Sequence, residues 1–221
     1  MKKIRMLALD FGGVITFPQR KDKAEEMRLA IEAARGAEPS PLDPKTFTVA
    51  YYGHRPGYDR GVCGAEEYWE AVGRELGAKV PPDLARELVA IDLDSWFSIR
   101  PAMVDFLEGV SGKVEALVLL SNIHADGARR LLETCPWVDR FDALVFSYEH
   151  RLMKPEREIY TLALERACRA AATSFAPGDC LFVDDSQTNV EGALAAGLDS
   201  FRFVDEADFA ARMDAEYGLR P

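Results

Sequence analysis

Five short apolar runs, separated by longer stretches of helical periodicity, constrain this chain more than any other feature of its sequence. The runs are Ile4–Leu9, Ala116–Leu120, Ala143–Phe146, Cys180–Val183 and Ser200–Val204, the first interrupted by Arg5 and the last by Arg202. Four of the five lack apolar–polar alternation, which suits strands covered on both faces by helices. Helices are expected near 125–134, 155–170, 187–196 and 205–216, with Gly197 as the residue just past the end of the third. The alternation of strand and helix predicts an α/β class, a doubly wound, Rossmann-like parallel sheet.

The segment from about 16 to 99 breaks the pattern. It carries helical periodicity near 22–35, 65–76 and 82–97 and no convincing strand, while Pro18, Pro39, Pro41 and Pro44 punctuate its first half. At 221 residues the chain suits one domain with a large insertion or two modest ones. The expected division is a core of 1–15 and 100–221 with a helical insertion, 16–99, and Arg100-Pro101 marks a helix start on the return to the sheet.

Charge narrows the partners. Lys and Arg number 27 against 37 Asp and Glu, a formal charge of −10, which weighs against sequence-independent binding to nucleic acid. A phosphorylated small molecule would need local neutralisation by a metal and a few placed cations. No stretch approaches the ~20 apolar residues of a membrane helix, and Asp10 interrupts the first apolar run before a signal-peptide hydrophobic region is complete. Cys63, Cys135, Cys168 and Cys180 form no CxxC pair and are expected to be mostly core thiols of a cytoplasmic protein.

Candidate chemistry gathers at the carboxyl ends of the runs, where ligands of open α/β sheets bind. Asp10 ends the first and is followed by Phe11-Gly12-Gly13, whose glycines permit close backbone approach. Ser121 and Asn122 follow the second run. Lys154 follows the third after a short loop, with Pro155 expected in the first turn of the next helix. Asp184 and Asp185 follow the fourth. Two adjacent carboxylates at a buried strand end repel each other unless a cation is present. Each position taken singly also fits a turn, a cap or a solvated surface residue. Together they can bind a divalent metal and a phosphoryl group.

In order along the chain, Asp10-Phe11-Gly12-Gly13-Val14-Ile15, Leu120-Ser121-Asn122, Lys154-Pro155-Glu156 and Val183-Asp184-Asp185-Ser186 resemble the four motifs of the haloacid dehalogenase-like hydrolase superfamily. The segments beginning at Met153 and Asp184 are most similar to the helical-cap branch containing sugar-phosphate phosphatases such as glucose-1-phosphate phosphatase. The resemblance implies a magnesium-dependent phosphatase acting on a small-molecule phosphate ester through an aspartyl-phosphate on Asp10. It implies Mg2+ held by Asp10, the Gly12 carbonyl and Asp185, with Asp184 orienting a metal-bound water. Lys154 would neutralise Asp10 and the phosphoryl group, Ser121 would bind the transferring group, Asn122 would orient this shell or bind substrate, and Asn189 would help orient it.

Gly12 departs from the pattern, because many phosphatases of the superfamily carry there a second aspartate that acts as general acid and base. The stretch Tyr51 to Gly61 is similar to the loop through which such caps reach the active site, making Tyr58 and Arg60 candidate substrate contacts. His54, His124 and His150 are assigned to surface or packing, and Tyr68 and Trp69 to the core. Two alternatives stay open: a hydrolytic dehalogenase, with which Gly12 is compatible but the Asp184-Asp185 pair is not easily reconciled, and a non-catalytic binding or regulatory member of the fold.

Overall fold

A computed structural model describes residues 2–36 and 40–220; Met1 and Pro39, part of the reading above, lie outside them. Five parallel strands, β1 (Met6–Leu9), β2 (Ala116–Ser121), β3 (Ala143–Phe146), β4 (Cys180–Asp184) and β5 (Asp199–Arg202), form one sheet in the order β3-β2-β1-β4-β5. The last strand lies slightly earlier than the Ser200–Val204 run, because its partner β4 ends at Asp184, which pairs with Arg202. Among the described residues no helix is long and apolar enough to cross a membrane.

Alternate strand residues enter two different cores, which explains the unbroken apolar runs. Leu7, Leu9, Leu117, Leu119, Leu181 and Val183 face one side. There they meet α5 (Pro101–Val110), α6 (Ala125–Thr134) and α10 (Glu206–Tyr217) through Phe106, Leu131 and Phe209. Met6, Ala8, Val118, Leu120 and Phe182 face the other side, against Ile159 and Ala163 of α8 (Arg157–Ala170), which follows the single-turn α7 (Ser147–His150), and Ala193 of α9 (Gln187–Ala195). Burial on both faces is the signature of the doubly wound class. Gly197, at φ +93°, follows the end of α9 as expected.

Between β1 and α5 lie α1 (Lys21–Ala33), α2 (Pro44–Asp59), α3 (Ala65–Glu75) and α4 (Pro82–Trp96). They build a third cluster around Met27, Phe47, Tyr51, Trp69, Val72 and Leu88, so Tyr68 and Trp69 are indeed core. The chain leaves and re-enters the sheet region along two adjacent crossings. Thr16 bridges Ile99 in antiparallel fashion, and the Phe17 N–H donates to the Ser98 carbonyl at 2.7 Å.

Two local expectations change. Tyr51–Asp59 is helix rather than loop, despite Gly53, Pro56 and Gly57. Asp43 caps α2 by accepting from Thr46 N, Pro44 occupies the first turn, and Phe47, Ala50, Tyr51 and Tyr58 are buried; tertiary burial outweighs the propensity cost of the interior proline and glycines. Pro155 is not in the first turn of α8, which starts at Arg157 after Glu156. Lys154 and Pro155, joined by a cis peptide, instead form the turn that carries the ammonium to the sheet. Gly192 on α9 lets that turn pack closely, since a Cβ there would lie 2.7 Å from the Pro155 carbonyl oxygen.

Candidate active site

Asp10 is the first residue beyond β1, while Ser121 and Asp184 are the last residues of β2 and β4. These strands are neighbours in the sheet, with β1 in the middle, so parallel pairing alone brings the three side chains to one edge. Asp10 is fixed by its own turn: its N–H donates to the Val183 carbonyl (3.0 Å), and its Oδ1 accepts the Phe11 N–H at 2.7 Å. The turn closes where the Thr16 N–H reaches the Phe11 carbonyl at 3.0 Å. Gly13 sits at φ +76°, and a Cβ there would lie 2.4 Å from Asp185 Oδ2. Only glycine gives both that backbone and that clearance.

Lys154, 2% exposed, is the centre of charge. Its Nζ lies 2.7 Å from both Asp10 Oδ1 and Asp184 Oδ2 and donates to the Leu120 carbonyl at 3.0 Å. Asn122 fixes the main chain of this lysine, donating to the Lys154 carbonyl (3.0 Å) and accepting its N–H (2.9 Å). Asp184 is fully buried and engaged through both oxygens: Oδ2 by Lys154, Oδ1 by the Ser186 N–H (2.8 Å), and both by the Asn189 amide. Asp185 is exposed toward the cavity, and its carbonyl accepts from Arg202 Nε.

One oxygen from each of Asp10, Asp184 and Asp185 falls within 4.8 Å of the others. Burial pushes the Asp10 carboxyl well above the usual range, opposed by Lys154 and reinforced by Asp184 and Asp185. Asp185 is raised by burial and by Asp184. The Lys154 ammonium is lowered by burial but raised more by Asp10 and Asp184, for a net upward shift. Three carboxylates against one ammonium leave an excess of two negative charges, which a bound divalent cation would balance.

A cavity of about 240 Å³ opens over this cluster, lined by Asp10, Gly12, Ser121, Asn122 and Asp185 on one side. Phe11, Leu93, Trp96, Phe97 and Ile123 supply apolar walls, and Tyr52, Arg55, Asp59 and His124 a polar far end. Arg55 is held between two carboxylates, Nε to Asp59 Oδ1 (3.0 Å) and Nη1 to Asp92 Oδ2 (2.8 Å), and also donates to the Tyr51 hydroxyl. That hydroxyl donates to Asp92 Oδ1 at 2.5 Å.

Tyr58 and Arg60 are not among the residues lining the cavity. The Tyr58 hydroxyl donates to Asp126 Oδ2 (2.6 Å), its ring stacks on His124 at 4.0 Å, and Arg60 pairs with Glu156. These contacts commit both side chains to the seam between α2 and the sheet region. His124, assigned to packing, caps α6 through Nδ1, which accepts the Gly127 N–H, and it also faces the cavity. Its position three residues beyond Ser121 was the available signal. Arg55 and Asp59 carry no site signal in the sequence because their stretch, with Gly53, Pro56 and Gly57, reads locally as loop. Asp43-Pro44, a cap residue followed by a first-turn proline, and the four-residue Arg–Asp spacing were the signals for a helix there.

A family model described as haloacid dehalogenase-like hydrolase matches residues 4–197. Human N-acylneuraminate-9-phosphatase is 30% identical over 139 residues, covering 59% of this chain and 52% of that protein. The matched region spans only 35% to 61% of the curated relatives' length. A HAD family enzyme from Bacteroides thetaiotaomicron, crystallised with magnesium and inorganic phosphate, superposes with a TM-score of 0.68 at 20% identity, over 90% of this chain and 93% of that one. The L-2-haloacid dehalogenase of Xanthobacter autotrophicus, with chloropropionic acid covalently bound, gives 0.60 at 20% identity over 99% and 85%. At these identities the structural likenesses establish the shared fold.

Proposed function

The chain belongs to the haloacid dehalogenase-like hydrolase family, and within it we propose a magnesium-dependent phosphatase that hydrolyses a small-molecule phosphate monoester through Asp10. The observation that carries this is the over-acidic cluster of Asp10, Asp184 and Asp185 around the buried Lys154, with Asp185 open to the cavity. A metal-free halide displacement has no use for the two uncompensated negative charges, whereas a divalent cation and a phosphoryl group together do. The N-acylneuraminate-9-phosphatase relatives support the same class.

The donor set fits magnesium, an oxygen-seeking cation usually held by one or two carboxylates plus substrate phosphate. Asp10, the Gly12 carbonyl and Asp185 would hold it, and it would screen the charge of the phosphoryl oxygens. Asp184, with both oxygens already engaged, positions Lys154. Asp10 attacks phosphorus in line, forming an O–P bond as the bond to the leaving alcohol breaks, and water then hydrolyses the aspartyl-phosphate. Lys154 lowers the repulsion between the Asp10 carboxylate and the phosphoryl dianion. Ser121, which lines the same cavity, donates to the transferring group. The helices of 16–99 act as a cap that excludes water during transfer.

Phosphate release from an aryl phosphate and halide release from a 2-haloacid, each with magnesium and with chelator, test the proposal. Magnesium-dependent phosphate release that Asp10→Asn lowers by at least ~10³-fold is expected. Halide release in chelator without phosphate release would establish the dehalogenase instead.

A further inference from the structure

Resting on the phosphatase reading, we infer that the far end of the cavity is an anion filter: it accepts phosphate esters of small uncharged alcohols and rejects those carrying a second anionic group. Among the described residues lining the cavity, Arg55 is the only Lys or Arg. It is the group that would have to receive a carboxylate or second phosphate on the substrate, and it is already committed. Asp59 and Asp92 bind it from two sides at 3.0 and 2.8 Å, and its guanidinium lies over the rings of Tyr51 and Tyr58 at 5.4 and 5.8 Å.

The adjoining imidazole is engaged as well: Nδ1 of His124 accepts the Gly127 N–H at 3.2 Å, and Nε2 lies 3.6 Å from Asp92 Oδ2. Two carboxylates thus hold the one guanidinium, and Asp59 stands on the cavity wall itself. An incoming carboxylate meets like charge in a site shielded from water, a repulsive element of the kind that sets specificity by exclusion. An alcohol finds acceptors in Asp59 and apolar walls in Trp96 and Phe97. The cavity, at about 240 Å³, falls just under the ~300–1,000 Å³ of typical ligand sites, which favours a leaving group of few carbons.

The test uses the full chain with magnesium and two esters of equal length, terminally phosphorylated glycerol and terminally phosphorylated glycerate, with an aryl phosphate alongside. The glycerol ester should show a kcat/KM at least ~10-fold higher, which is the discrimination a single unfavourable charge contact supplies. In Asp59→Asn, and separately in Asp92→Asn, one counter-charge of Arg55 is removed and the gap should narrow to within about threefold, chiefly through a lower KM for the glycerate ester. Turnover of the aryl phosphate with equal use of the two esters by the parent protein overturns this inference and leaves the phosphatase reading intact. No phosphate from any ester overturns the phosphatase reading and this inference with it. A parent gap that neither variant narrows overturns the assignment to the Arg55 cluster; if both variants fail to fold, the parent pair decides.

Discussion

Gly12→Asp asks whether the residue missing from the first loop limits the reaction. Gly12 has φ −68° and ψ 127°, ordinary extended backbone for any L-residue, and a Cβ there would meet nothing nearer than the Trp96 ring at 3.8 Å. The new side chain is therefore accommodated beside Trp96 without distorting the turn. General acid catalysis contributes ~10²–10⁴-fold, or ~3–5 kcal/mol of barrier, and its absence falls hardest on poor leaving groups. The assay is kcat/KM over phosphate esters of similar size and graded leaving-group acidity, because breakdown of the proposed aspartyl-phosphate, common to all of them, would mask the trend in kcat. In the parent protein the series should rise steeply with acidity. In the variant the alkyl esters should gain about 10²-fold and the aryl esters change little, flattening the series. Gly13→Ala is the contrast: at φ +76° an L-residue costs ~1–2 kcal/mol, and its Cβ would lie 2.4 Å from Asp185 Oδ2, so all esters and magnesium affinity should fall together. A flat parent series, or a Gly12→Asp protein slower on every ester alike, would refute the reasoning.

Two further outcomes follow from the buried charges. Lys154→Met leaves Asp10 and Asp184 without their shared ammonium and should cost ~3–5 kcal/mol of stability in chelator; magnesium should raise the Tm of this variant more than that of the parent, and an equal rise would contradict the charge accounting. Burial alone would raise the Asp92 carboxyl, but Arg55, His124 and Tyr51 outweigh it and hold the group at about 2. Because that folded-state value lies below the unfolded one, its stabilisation is full above about pH 5 and fades as pH falls toward 2, with ~1 kcal/mol lost between pH ~5 and ~3. Urea unfolding of parent and Asp92→Asn at both pH values checks this: the variant should lose ~1 kcal/mol less over that interval, and identical losses would show that Asp92 is not the group responsible.

The sequence by itself determined the sheet and the edge that carries the candidate site. Runs such as Cys180–Val183 are apolar at every position because both faces of the strand are covered, and that pattern is local. Asp10, Ser121 and Asp184 could be placed because each sits at the end of such a run, and parallel pairing carries strand ends to a common edge. What the sequence withheld lies where segments distant along the chain meet. The α2 helix forms through burial of Phe47, Tyr51 and Tyr58 in a cluster built from four helices, and its prolines and glycines argue locally for a loop. The Arg55 cluster draws Asp59 from its own helix, Asp92 from α4 and His124 from beyond β2, so no spacing in the sequence announces it. Tyr58 and Arg60 show the same limit in reverse: their chemistry suits a ligand, but Asp126, His124 and Glu156 claim them. Strand periodicity is a property of neighbours along the chain. Which charge faces which across a seam is settled only when the helices of 16–99 pack on the sheet region, because burial then makes each unpaired polar group costly and selects the partners that remain.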